Sequence, residues 1–322
     1  MMFKQSCIFL LVCIFSFTPV HLFSKELIPG GENIGIKMDY EGVCVLSTYS
    51  FQANHEIYHP TKYLNSGDII IEVNHQPVQT IQELTQSLSK QNNHLIPITI
   101  MRNHQKMDTF MYYIYDEASK TYMSGLYLQD SITGIGTVTF YDPSNHRFGA
   151  LGHEILDHKG KSQSILQKGI IYESEIISLS KAKKGIPGEK QASILYQSKL
   201  GTVYANQSLG IFGSYEATLD KEKIETGTPV VGKAMIYTVL DKNKVEVFDI
   251  EITEVNNSSE KALTIKITDQ DLLNQTGGII QGMSGSPILQ NGKLVGAVTH
   301  VLVNDPTRGY GIFIDNMLDA AE

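Results

Sequence analysis

Gly282-Met283-Ser284-Gly285-Ser286-Pro287, inside the window Thr276 to Leu302, sets a serine hydroxyl among glycines. Glycine lets a main chain turn so that its own N–H groups converge on a developing negative charge, where side chains would obstruct the approach. A serine hydroxyl is a poor nucleophile near neutral pH and needs an adjacent base, and histidine, with an ordinary pKa of about 6.5, suits that role. Among 10 histidines, His153 is favoured because Phe148-Gly149-Ala150-Leu151-Gly152-His153 puts it at the end of a predicted buried strand that would fix the ring. His146, His158 and His300 are its rivals. Neither a His-x-x-x-His pattern on a helix nor paired cysteines appear, so no metal and no cofactor are expected.

A base of this kind is usually oriented by an acid that accepts its other ring N–H. Spacing leaves Asp220, Asp241, Asp249 and Asp269 open, with Asp271 as a near decoy. Asp269 also stands where it would cap a short helix suggested by Gln270 to Asn274.

The elements that must hold these groups read as mainly β. Gly134 to Tyr141 alternates small and apolar residues, Asp142-Pro143-Ser144-Asn145 is turn chemistry, and Arg147 to Leu151 leads into Gly152-His153. Val239 to Ile252 carries the turn Asp241-Lys242-Asn243-Lys244, and Pro287 to Val301 carries Asn291-Gly292, a strong hairpin signal. Strands so spaced suggest packed barrels over residues 131–322. Residues 26–115 read instead as a mixed α/β unit, with strands at Val43 to Tyr49, Asp68 to Val73 and Ile96 to Met101. An amphipathic helix runs from Thr80 to Lys90, its start set by a Thr80/Glu83 capping box. Residues 116–130 are polar to mixed and are expected to be a linker.

At 322 residues the chain has room for these two units and a targeting segment. A formal charge of -8 without a basic block argues against nucleic-acid binding. Lys4 followed by the apolar run Cys7 to Phe17 gives residues 1–24 the character of a signal peptide or membrane anchor. Of three cysteines only Cys44 lies in the folded part, where a buried strand position is expected and no internal disulfide is possible.

Gly67-Asp68-Ile69-Ile70-Ile71-Glu72-Val73-Asn74, then Pro77-Val78, then the helix, resembles a PDZ domain, which implies binding of an extended peptide. Ile34-Gly35-Ile36 resembles the loop that receives a peptide carboxylate, although Lys62-Tyr63 departs from the small pair common before the Gly-Asp turn. The G-x-S-G-x-P form around Ser284 resembles chymotrypsin-like serine peptidases, with an expected double β-barrel. That resemblance implies oxyanion donors at the Gly282 and Ser284 amides and a substrate-pairing strand at Thr299-His300-Val301.

Asn145 to Ile155, Gly185-Ile186-Pro187-Gly188-Glu189-Lys190 and Ile265 to Thr307 together resemble the stage IV sporulation protein B (SpoIVB) peptidase family. The resemblance implies Ser284 and His153 as the catalytic pair and Asp269 as the acid. It further implies a protein substrate, a membrane-bound regulator, self-cleavage, and a place between the two membranes of a developing spore. A non-catalytic peptide-binding scaffold, or an esterase, is the rival reading; the latter lacks a G-x-S-x-G elbow.

Overall fold

Alternating burial, the mark of strands with one face on a core, runs through most of the chain, as in Leu263–Ile267. The computed structural model describes residues 24–156, 166, 168–216, 219–256 and 262–321. The expected export segment, apart from its last residue, and His158 lie outside these. Among the described residues no helix is long and apolar enough to cross a membrane.

Counting strands of four residues or more, the first ten are β1 (Glu26–Pro29), β2 (Asn33–Thr48), β3 (Ile69–Val73), β4 (Leu95–Arg102), β5 (Gln105–Tyr112), β6 (Leu126–Asp142), β7 (Arg147–Ala150), β8 (Lys168–Ser180), β9 (Glu189–Gln207) and β10 (Gly210–Tyr215). The pairings β2–β6, β6–β7, β7–β10, β10–β9, β9–β8 and β8–β2 return to their start, so six strands close a ring. Its filling includes Ile34, Ile36, Met38, Val138, Phe148 and Ile171.

A second closed barrel follows: β11 (Gly232–Val239), β12 (Val245–Val255), β13 (Leu263–Ile267), β14 (Pro287–Gln290), β15 (Lys293–Val301) and β16 (Arg308–Phe313). The β14–β15 hairpin turns at Asn291 and Gly292, both at positive φ (53° and 76°), as an Asn-Gly hairpin requires. Phe140 and Phe212 of the ring pack with Leu289, Leu294 and Ile312 of the barrel, which makes the seam between the two apolar. Three short α-helices lie among the described residues: α1 (Ile81–Leu88), α2 (Gln270–Thr276) and α3 (Ile314–Ala321).

The α/β unit consists of the second half of β2 with β3, β4, β5 and α1, around Val43, Val45, Ile70, Leu84, Leu88 and Ile98. The capping box is present, with Thr80 Oγ1 accepting from Glu83 N at 3.1 Å and Glu83 Oε2 accepting from Thr80 N at 3.2 Å. Cys44 is buried and forms no disulfide.

Three expectations are corrected here. Ile34, Gly35 and Ile36 are not a loop: they lie inside β2, opposite Gly136, Ile135 and Gly134 of β6 on one side and Glu173, Tyr172 and Ile171 of β8 on the other. Both of their edges are spent on ladders, so no carboxylate can be received there. Residues 26–115 are not one unit either, because β1 and the first half of β2 pair with β6 and β8 and belong to the ring. The stretch 116–130 is no bare linker, since Thr121–Met123 pairs with Ile114–Asp116 and β6 begins at Leu126.

Candidate active site

The serine turn belongs to the barrel but is fastened from three sides. From the ring, Thr137 N–H donates to Ser284 O at 3.0 Å, Thr137 Oγ1 donates to Gly282 O at 2.8 Å, and Thr139 Oγ1 donates to Gly285 O at 2.8 Å. From the tip of the β8–β9 hairpin, Gly188 O accepts from Gln281 N at 2.9 Å and Lys190 N donates to Gln281 O at 3.0 Å. From its own barrel, Val298 O accepts from Gly285 N at 2.8 Å. Gly282 and Gly285 stand at φ +93° and +94°, where L side chains are rarely found. A Cβ on Gly285 would also run into Thr137 O and Leu151 N.

This fastening uses the carbonyls of the turn and leaves two donors open. Between Gln281 and Ser286, the amides of 281, 283, 285 and 286 are bonded to main-chain oxygens. Those of Gly282 and Ser284, the two expected donors, have no such partner among the described residues. Two amides two residues apart and free of acceptors can hold a developing oxyanion. The Ser284 hydroxyl donates to Thr299 O at 2.7 Å. Two further hydroxyls nearby in the chain, Ser286 Oγ and Thr299 Oγ1, are buried with no protein partner.

His153 reaches the seam from the ring. Phe148 and Ala150 are fully buried in β7, and the chain then bends through Leu151 (φ +71°) and Gly152 (φ +70°). A leucine held left-handed costs about 1 kcal/mol or more, a strain tolerated where surroundings over-determine it, as often at functional sites. Here Leu151 N donates to Thr137 O at 3.2 Å, so Thr137 ties the histidine corner and the serine turn together. The His153 ring lies 5.1 Å, centroid to centroid, from that of His300 on β15. Its Nδ1 lies 2.8 Å from Glu154 O. A carbonyl can only accept, so Nδ1 carries the proton and Nε2 keeps the lone pair. Burial holds the His153 pKa below the ordinary histidine value, partly offset by the Glu154 carbonyl and carboxylate.

Ser284 and His153 thus meet at the same two residues, Ser284 bonding to Thr299 and His153 standing against His300. Among the described residues no hydrogen bond joins the pair directly, because the hydroxyl is turned to Thr299. Of the substrate strand expected at Thr299, His300 and Val301, Thr299 is buried and His300 exposed, and the β15–β16 register shifts between Val298 and Val301.

Asp269 differs from the expectation. Its carboxylate caps α2, Oδ1 accepting from Leu272 N at 2.9 Å and Oδ2 from Asp249 N at 3.4 Å. The oxygen facing His153 Nδ1 is that of Glu154, not of Asp269. The alternatives Asp220, Asp241, Asp249 and Asp271 have no hydrogen bond to His153 among the described residues.

Sequence reasoning missed Thr137, Thr139 and Lys190. The threonines carry no local signal, because their partners lie 145 and 146 positions away. Lys190, in the Gly185 to Lys190 stretch, is fully buried with its stem beneath Gly282 and its Nζ 2.7 Å from Thr238 Oγ1. Burial without an acidic partner pushes its pKa down to about 7.

A seam between two closed six-stranded units, with a serine turn that keeps two amides without main-chain acceptors, is suited to acyl transfer. A family model described as SpoIVB peptidase S55 matches residues 120–318, more than half of the chain. The chain therefore belongs to that family and is a peptidase, with protein as its substrate. No curated protein matches it.

Proposed function

We propose that the chain is a serine endopeptidase in which Ser284 is the nucleophile and His153 the general base. The observation that carries this reading is the convergence of both side chains on Thr299-His300 beside two amides free of acceptors. Ser284 Oγ first leaves Thr299 O for His153 Nε2. The hydroxyl proton passes to Nε2 as Oγ forms a bond to the peptide carbonyl carbon, and the oxyanion takes the Gly282 and Ser284 N–H groups. The imidazolium then gives its proton to the departing amine as the C–N bond breaks. Water, deprotonated by the same nitrogen, releases the acyl group and restores the hydroxyl.

In this mechanism the Glu154 carbonyl holds the tautomer, and Asp269 serves the site through α2. The substrate backbone lies along Thr299 to Val301, where exposed His300 meets its side chains. The family membership and the apolar run Cys7 to Phe17 support a role outside the cytoplasmic membrane, cleaving a membrane-bound regulator, and the chain itself, in sporulation signalling.

The test is labelling of the full chain with a fluorophosphonate serine probe. Ser284 is expected to be modified in the native protein and not after heat denaturation. Ser284→Ala is expected to lose labelling and cleavage of a protein substrate together. Wild-type cleavage by Ser284→Ala would refute the assignment.

A further inference from the structure

The second half of β2 has β3 on one edge, through Val43–Ile70 and Cys44–Ile69. Its other edge, beside α1, is where an added peptide strand would lie, and it is taken by the chain itself. Leu126, Tyr127, Leu128 and Gln129 run antiparallel to it, opposite Thr48, Ser47, Val45 and Cys44. Leu126 and Leu128 pack against the cluster that holds Leu84 and Leu88 of α1, while the exposed Tyr127 ring rests 5.1 Å from that of Tyr49. At the end of the segment Asp130 Oδ2 accepts from Ile81 N, the first amide of α1, at 2.9 Å. These are the components of strand addition: a main-chain ladder, alternate side chains in an apolar groove, and an end group fixed by a charge-assisted bond.

The same strand does a second thing. After a break in register between Gln129 and Ser131, β6 joins the ring, and further along the same strand its Thr137 and Thr139 hold the serine turn.

We propose that the β2–α1 groove is a site for an extended peptide with two alternating apolar residues followed by an acidic one, and that Leu126–Asp130 of this chain fills it. Groove and serine turn are then coupled, because one strand serves both and an outside peptide must displace its first five residues. The coupling rests on the reading of Ser284 given above; the occupancy of the groove does not.

The experiment uses the full chain and a labelled peptide spanning residues 124–132. Wild type is expected to bind it weakly, since a tethered segment competes at high effective concentration. Leu128→Ala and Asp130→Ala are expected to bind it about ten-fold more tightly, the internal competitor being weaker by about 1.4 kcal/mol. Gln129→Cys stands opposite Cys44 in register, and oxidising that pair is expected to abolish peptide binding while leaving probe labelling of Ser284 intact. Saturating Leu128→Ala with peptide is expected to lower that labelling several-fold. Equal peptide binding by wild type, the variants and the locked protein, including none at all, overturns the inference, as does loss of labelling on locking. Should Leu128→Ala not fold, Asp130→Ala decides the same point. A wild type that is never labelled refutes the Ser284 reading, and the binding comparison still decides occupancy.

Discussion

Thr137 holds Gly282 from 145 positions upstream, its hydroxyl donating to the Gly282 carbonyl at 2.8 Å while its own carbonyl accepts from Leu151. The serine turn and the histidine corner therefore share one fully buried residue. Thr137→Val keeps the shape and removes the hydroxyl, leaving the Gly282 carbonyl short of a partner. A stability loss of about 1–3 kcal/mol is expected by denaturant titration. Steady-state assays should show kcat falling more than KM rises, since the displaced amide acts on the oxyanion rather than on bound substrate.

Gly285 faces the same ring. Gly285→Ala would set a methyl against Thr137 O and Leu151 N at a φ of +94°, so both strain and overlap oppose it. A destabilisation of about 3 kcal/mol or more is expected, with probe labelling of Ser284 lost even in the folded fraction. An unchanged melting temperature would show that ring and barrel do not meet as described.

For Asp269 the two candidate roles predict opposite outcomes. As the cap of α2, Asp269→Asn should leave stability and turnover near wild type, whereas Asp269→Ala should cost about 1 kcal/mol of stability. As the acid of a triad, Asp269→Asn would lower kcat by about 10⁴. The kcat of Asp269→Asn alone separates them.

The pH profile should report His153. Burial favours its neutral form, so it is expected to remain an unprotonated base to lower pH than an ordinary histidine. The acidic limb of kcat/KM should therefore lie below pH 6.5. The folded value lies below the unfolded one, so protonation costs stability as pH falls beneath 6.5, and above that the cost vanishes. A limb at or above 6.5 would assign the base to another group.

Lys190 supplies a second titration, read in stability. Its folded pKa of about 7 lies below the ordinary 10.5, so between those values the unfolded chain holds a proton that the folded chain lacks. Stability should rise with pH across that window, by up to about 1.4 kcal/mol per unit. Lys190→Met should flatten the slope and be more stable than wild type at pH 7; a parallel pH dependence would mean the ammonium stays charged inside.

What was legible in the sequence was local. The Thr80/Glu83 box, the Asn291-Gly292 turn and the G-x-S-G-x-P turn each involve residues within a few positions of one another, so spacing states the geometry. What was hidden depends on distant pairing. Ile34-Gly35-Ile36 looked like a loop because glycine permits one, yet ladders on both sides make it a central strand. Asp269 stood at the position of the family's acid and also at that of a helix cap, and in the fold its carboxylate accepts from the Leu272 amide, a cap bond that spacing could state. The role of Thr137 follows from a partner no window could contain.

The β8–β9 hairpin spans Lys168 to Gln207, and its tip bonds to Gln281 and to the end of α2 through Ala182 N and Thr276 O at 2.8 Å. A polypeptide emerging from the ribosome makes this hairpin long before the serine. Because the late-made Ser284 turn must be seated on early-made parts, hydrolysis by the proposed mechanism would begin only at the last stage of folding, and such long sequence separations make that stage slow. A product halted before residue 284 would carry the hairpin without the hydroxyl that it seats, so no such partial chain would hold both parts of the proposed site.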